Sequence, residues 1–238
     1  MLLSELFNYW NYGELSQLAL GNATPEGIPE TSYPALLSHL NLGLIELHKE
    51  FSLKEREVVI QMYSDITLYK LTEEFSDTLG TAPVKYILDS VDEPFTDQVL
   101  KIRKVVSSNP KVQLIWNDKT EVDNPITQYA YNTIRIGKPD PAHTVTVHYR
   151  AAPDPVTLPA VDPDPATVEI PIPLSLAEAL GYFVAARVHS NTPAMEHTQS
   201  EGAIYMQKYQ LSIMKLKETG LAEDFHLPNT RLDDNGWV

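Results

Sequence analysis

The chain has 238 residues, 43% of them hydrophobic and 21% charged, enough for a substantial core and ordinary for a folded domain. Its formal charge is −14, and residues 1–50 hold one cation, Lys49, against six glutamates, which excludes a general phosphate-gripping role. There is no cysteine, so disulfides, thiol catalysis and thiolate-bound zinc are excluded, and no apolar run approaches the roughly 20 residues needed to span a bilayer.

The first ten residues, MLLSELFNYW, have no basic region and carry Glu5 early, so a signal peptide is not expected. Residues 2–20 read as a helix, with Leu3, Leu6, Phe7 and Trp10 at helical spacing and Gly13 weakening the middle. GNATPEGIPE (21–30) reads as a loop. Residues 33–51 predict a stronger helix, with Pro34 in its first turn and Leu37, Leu40, Leu44, Leu47 and Phe51 as its apolar stripe.

From Arg56 the period changes to two. REVVIQMYSDITLYKL is rich in β-branched and aromatic residues and predicts two strands separated at Ser64-Asp65. A short helix is expected near 94–101. KVQLIWND (111–118) and NTIRI (132–136) predict strands. HTVTVHYR (143–150) is the clearest one, with Val145, Val147 and Tyr149 on one face and Thr144, Thr146 and His148 on the other.

Residues 153–173 hold seven of the eighteen prolines and predict an extended, semi-rigid strap. Ser175 and Glu178 fit a capping box ahead of a helix buried through Leu176, Leu180, Phe183, Val184 and Val188. SNTPAMEHTQ (190–199) turns the chain. A last helix is expected over about 199–219, with Met206, Tyr209, Ile213 and Leu216 on one face, Lys215 and Lys217 near its end, and Gly220 as its stop.

Few residues suggest chemistry. His197 and Glu201 lie four apart, with Glu196 and His189 nearby, but the spacing is not that of a zinc motif and a turn separates His189 from the rest. Solvated polar residues at a helix start are the expectation there. His143 and His148 fall on opposite faces of one strand and cannot pair with each other. Asp118, Glu121 and Asp123 offer carboxylates for acid–base work, as in a hydrolase, yet they flank a predicted turn where acidic residues serve conformation. Lys101, Arg103 and Lys104 form a short basic string that reads as a solvated face. Asp233-Asp234-Asn235-Gly236 lacks the spacing and closing glutamate of a calcium loop. No glycine-rich phosphate loop or nucleophile elbow is present. Catalytic residues, metal ligands and cofactors are therefore all expected to be none.

The chain closes on NTRLDDNGWV, where a large indole ends a polar tail. The runs FTDQVLKIRKVVSSNPKVQLIWND, YNTIRI, HTVTVHYRAAPDP and VEIPIPLSLAEALGYFVAARVHS, together with that tail, resemble the head-to-tail adaptor (connector) proteins of tailed bacteriophages, especially short-tailed ones. The resemblance covers roughly residues 95–238 and extends to the first 90 by helix layout only. It implies a structural virion protein at the head–tail interface, assembled in the host cytoplasm. It also implies a homo-oligomeric ring, usually dodecameric, that binds the portal protein through a C-terminal arm and a tail or nozzle protein below. DNA would pass through the lumen without sequence recognition, and no membrane is involved.

The expected architecture is α+β. Helices from 1–53 and 174–220 form a bundle, an antiparallel β domain (54–152) is inserted between them, the strap is 153–173 and the arm is 221–238. The arm residues expected at the portal are Phe225, Leu227, Leu232, Trp237 and Val238. Two other readings stay open: another tail component, such as a stopper or a receptor- or sugar-binding module, and a carboxylate-based hydrolase.

Overall fold

The structure, a computed structural model, describes residues 1–15, 28–96, 98–108, 126–159, 162–191 and 196–219, with only the backbone at 191 and 196–200. It is an α+β protein with antiparallel sheets. The chain divides into two compact units, one from residues 1–51 and 154–238, the other from 52–153.

The first unit is helical. Helix α1 (Leu3–Tyr12) buries Leu3, Leu6, Phe7 and Trp10. Its first amide is satisfied from behind, because the Glu5 carboxylate accepts from the Leu2 N–H at 2.9 Å. The helix ends at Tyr12, with Gly13 at its C-terminus, inside the expected range of 2–20. Glycine contributes nothing to hold a helix that packing does not extend. Residues 16–20 lie outside the described ones.

Helix α2 (Tyr33–Glu50) starts on Pro34, as a proline in the first turn permits. It buries Leu36, Leu40, Gly43, Leu44 and Leu47, and Phe51 beyond its end. The stripe is thus centred slightly away from Leu37, which is only half-buried. Gly43 is where α2 crosses helix α3 (Ala177–Asn191). A Cβ there would stand 2.6 Å from Leu180 Cδ1 and 3.0 Å from Phe183 Cδ1. Helix α4 (Glu196–Glu218) crosses α3 at Gly202, where a Cβ would meet Ser190 Oγ at 2.5 Å and the Ala186 carbonyl at 3.2 Å.

The entrance to α3 differs from expectation. A 3₁₀ turn, Leu174–Leu176, leads into the helix, and the Glu178 carboxylate accepts from the Tyr182 hydroxyl at 2.7 Å instead of reaching back to Ser175. The capping box does not form: the 3₁₀ turn supplies backbone acceptors itself, the Pro173 carbonyl for the Leu176 N–H at 3.0 Å and the Leu174 carbonyl for the Ala177 N–H.

The strap is tied to this unit rather than running free. Leu2 bridges Glu169 in antiparallel fashion, with Leu3 N–H on the Val168 carbonyl and Ile170 N–H on the Met1 carbonyl at 2.9 and 2.8 Å. Asn41 of α2 grips Val156 twice, donating Nδ2–H to its carbonyl at 3.0 Å and accepting from its amide at 2.8 Å. A 3₁₀ turn at Pro165–Thr167, closed by the Asp164 side chain on the Ala166 N–H, interrupts the extended path.

The expected strand at 111–118 lies outside the described residues; among these the second unit has seven strands. They are β1 (Glu55–Gln61), β2 (Leu68–Lys70), β3 (Ile87–Leu88), β4 (Val99–Ser107), β5 (Ile126–Ala130), β6 (Thr133–Ile136) and β7 (Thr144–Ala151). They make a four-stranded sheet in the order β3-β1-β7-β4 and a three-stranded sheet in the order β2-β6-β5. Every named pair is antiparallel. Inward side chains such as Ile60, Ile102, Val147 and Tyr149 from the larger sheet join Tyr69 and Ile134 from the smaller in one buried cluster.

Two tyrosines finish this core. The Tyr86 hydroxyl donates to the Lys70 carbonyl and accepts from the Lys70 N–H, both at 2.8 Å, so it acts as a one-residue partner for β2. Tyr69 does the same for Tyr63, at 3.2 and 2.9 Å. Each ring fills apolar space while its oxygen pairs with both backbone groups of one residue.

The described residues of 94–101 are not helical. That stretch runs into β4, and the misreading has a physical cause. Irregularities between Val99 and Lys101 and between Ile102 and Lys104 reset the alternation along the strand. The buried residues become Val99, Ile102 and Val105, spaced by three, which imitates a helical face.

Candidate interaction surfaces

The most organised polar cluster lies in the helical unit. His189 of α3 is 2% exposed, with Nδ1 3.0 Å from the Glu201 carboxylate of α4 and Nε2 3.3 Å from the Glu14 carbonyl. Tyr205 stacks on the imidazole at 5.0 Å, and Lys208 Nζ lies 4.8 Å above the Tyr205 ring. Burial, then the charges of Glu14 and Glu201, push the Tyr205 phenol up. The hydrogen bond to Glu178, then burial, push Tyr182 up to about 12.

A turn separates His189 from Glu201 in the sequence, and the α3–α4 crossing at Gly202 brings them together. The pair joins two helices. The Ser190 hydroxyl is not turned to the imidazole: its Oγ–H donates back to the Ala186 carbonyl at 2.7 Å. Among the described residues no group of three or more His, Asp or Glu side chains is placed to hold a metal ion. The side chains of Glu196 and His197 are outside that set.

His143 and His148 each lie near a carboxylate. His143 Nε2 is 3.6 Å from Asp140, and His148 Nδ1 is 3.5 Å from Glu57 on the neighbouring strand. The sheet register sets Glu57, His148 and Lys104 in one row across β1, β7 and β4. Lys101, itself exposed, is registered on Arg150, which is buried, and Arg103 falls in the irregularity between Ile102 and Lys104. Asp118, Glu121, Asp123, the arm residues Phe225, Leu227, Leu232, Trp237 and Val238, and the stretch 233–236 lie outside the described residues.

Three apolar surface features went unpredicted. On α4, Ile204, Leu211 and Met214 are exposed at 50%, 57% and 57%, on the side opposite the buried face formed by Gly202, Tyr209 and Ile213. On α1, Tyr9 and Tyr12 are exposed at 63% and 76%. In the β unit Tyr129 and Tyr131 stand out at the hairpin joining β5 and β6. The α4 signal was present in the sequence. Ile204, Leu211 and Met214 continue at i, i+7 and i+10, a second apolar stripe on a helix whose first stripe was already assigned to the core.

No protein-family model matches the chain, and no curated protein matches it significantly.

Proposed function

We propose that this protein is a head-to-tail adaptor of a tailed phage particle, a non-enzymatic ring component that joins the portal to the tail. The observation that carries the reading is the placement of the resembling runs on the fold. VLKIRKVVS is β4, TIRI is β6, TVTVHYRA is β7, and the strap end with LSLAEALGYFVAARVHS leads into and forms α3. The order of elements in the resemblance is therefore the order in which sheet, strap and helix follow one another.

Charge supports the same reading. DNA slides through a channel whose walls repel phosphate, and a chain at −14 can supply such walls. Trp237 and Val238 then serve as the arm's anchor in a portal cleft, with Phe225, Leu227 and Leu232 along the way. A buried terminal indole contributes on the order of 2–4 kcal/mol per subunit.

The test is the mass of the purified protein by light scattering, with negative-stain images of the same sample. Closed rings of about a dozen subunits are expected. Deleting 227–238 should leave the rings intact and weaken portal attachment. A compact trimer that binds glycans would overturn the adaptor reading and favour a receptor-binding module, for which Tyr129 and Tyr131 offer an aromatic platform.

A further inference from the structure

We infer that His189 is a proton-operated clasp: its imidazolium ties the segment after α1 and the start of α4 to α3, and loss of the proton releases α4. The inference concerns the helical unit alone and stands whether or not the adaptor reading does.

The ring is buried, and both of its nitrogens meet oxygen. Nε2 lies 3.3 Å from the Glu14 backbone carbonyl, just past the end of α1, and Nδ1 lies 3.0 Å from the Glu201 carboxylate on α4. A carbonyl only accepts, and so does an ionised carboxylate. A neutral imidazole has one N–H to offer, so it leaves a lone pair facing one of the two oxygens. The imidazolium has two, and its charge answers that of Glu201. The carboxylate stands off the Nδ1–H direction, so this contact is one of charge and not an aligned hydrogen bond. At such a distance opposite charges attract without alignment, whereas a bare Nδ1 would be repelled.

The groups around the ring come from each neighbouring element. Past α1, Glu14 also brings its carboxylate to α3, 3.7 Å from where a Cβ of Gly181 would stand. On α4, Tyr205 stacks on the imidazole at 5.0 Å, and Lys208 Nζ lies 4.8 Å from the Tyr205 ring and 5.7 Å from that of Tyr182. On α3 itself, the Tyr182 hydroxyl donates to Glu178. Burial, then the charge of Arg187, push His39 of α2 down. Among the described residues, the carboxylates of Glu14 and Glu201 are thus set against Lys208, which is drawn to two tyrosine faces.

The start of α4 is where release is felt. Gly202, next to Glu201, is the close crossing with α3. The Glu201 side chain is 40% exposed, so its carboxylate can turn to water once the ring is neutral, while the buried ring cannot follow. The neutral ring keeps its Nε2–H on Glu14 and loses its hold on α4. The proton binds the closed clasp, so closure is favoured at low pH and lost as pH rises through the titration of His189.

The experiment uses the full chain with ¹⁵N-labelled histidine, taken from about pH 5 to about pH 9, a range that spans ordinary imidazole titration. Ring ¹⁵N shifts report the protons on His189, assigned through its contacts with Tyr205. Amide exchange at 202–206, corrected for the intrinsic effect of pH, reports the start of α4. Wild type should show both ring nitrogens protonated at the acid end, and α4 protection should fall about tenfold as His189 titrates. Glu201→Gln is the discriminating variant, with circular dichroism as its folding check. Its amide can donate to a bare Nδ1 or accept from a protonated one, so the clasp closes with either form and protection should stay level. If Glu201→Gln follows the wild-type curve, or if α4 protection does not change where the ring titrates, the inference is wrong. A ring that remains a single neutral tautomer throughout overturns it. A ring that keeps both protons throughout is a fixed ion pair and overturns the release.

Discussion

Asn41 is the residue whose removal most directly tests how the strap is held. Its amide occupies both the N–H and the C=O of Val156, at 2.8 and 3.0 Å, and Val156 is buried. Asn41→Ala leaves two backbone groups without their partner. Each costs about 1–3 kcal/mol when fully buried, and the half-exposed side of Asn41 admits water, so the sum should be about 2–3 kcal/mol. For a protein of this size that corresponds to a melting temperature lower by about 4–12 °C. Calorimetry measures the shift, and amide exchange at Val156 should quicken.

Asn41→Asp adds a sharper discrimination. At neutral pH its carboxylate still accepts from the Val156 amide but turns a negative oxygen toward the Val156 carbonyl, so it should be at least as damaging as alanine. A protonated carboxyl both donates and accepts, as an amide does. The aspartate variant should therefore recover relative to Asn41→Ala as pH falls through about 4. If the two variants stay parallel across that range, or if alanine shifts the melt by less than the scatter of replicate scans, the two-point grip does not hold the strap.

Three further substitutions probe the β unit. Gly80→Ala places a Cβ 2.2 Å from the Ser76 carbonyl and 2.7 Å from that of Glu74; backbone must move, and urea unfolding should show a loss of about 2–4 kcal/mol. Tyr86→Phe removes the oxygen that pairs with both backbone groups of Lys70 and should cost about 1–3 kcal/mol, with faster exchange of the Lys70 amide as the specific readout. Asp89 is pushed up by burial but pulled down further by hydrogen bonds from the Thr78 hydroxyl, the Phe95 and Thr78 amides and Ser76, leaving its carboxyl below the usual range. A depressed carboxyl stabilises the fold above its unfolded pKa and stops doing so as pH falls through its folded one. Asp89→Asn should thus be less stable than wild type at neutral pH by about 1 kcal/mol, discounted for its partial exposure, and the gap should close in acid.

The sequence announced some elements more clearly than others. HTVTVHYR alternates without interruption, and β7 runs Thr144–Ala151 with Val145, Val147 and Tyr149 inward. The stripe of residues 33–51 and the proline at its start fixed α2 to within a residue. β4 was hidden because two irregularities change its period from two to three, and period is the signal by which strands are recognised. β3 has only two residues, too few for any period. The His189–Glu201 pair was hidden for another reason: it depends on how closely two helices cross, which the small side chain of Gly202 decides. The outer stripes of α1 and α4 were legible as apolar residues, but with one core already assigned they carried no label of their own. What they meet is not written in the chain's own packing.

The insertion of the β unit has a simple mechanical basis, and it leads to a strong prediction. β1 begins and β7 ends side by side: Glu55 is registered on Arg150, the Ala151 N–H donates to the Lys54 carbonyl at 2.9 Å, and Arg150 Nε–H donates to Ser52 Oγ at 3.0 Å. The two ends of the unit are therefore held at the spacing of neighbouring antiparallel strands, about 5 Å. A segment whose ends meet in its own sheet asks nothing of its host except two neighbouring attachment points. Its buried cluster, from Val58 to Ala151, is drawn entirely from residues 58–151. Residues 52–153 expressed alone should then fold, giving dispersed amide resonances and a cooperative melt. The complementary chain, with Phe51 joined to Asp154 by a short glycine-containing turn, should keep the helical unit and the Asn41 grip on Val156. An excised β unit that stays unfolded would mean that its strand pairing, although closed on itself, depends on the helices for its stability.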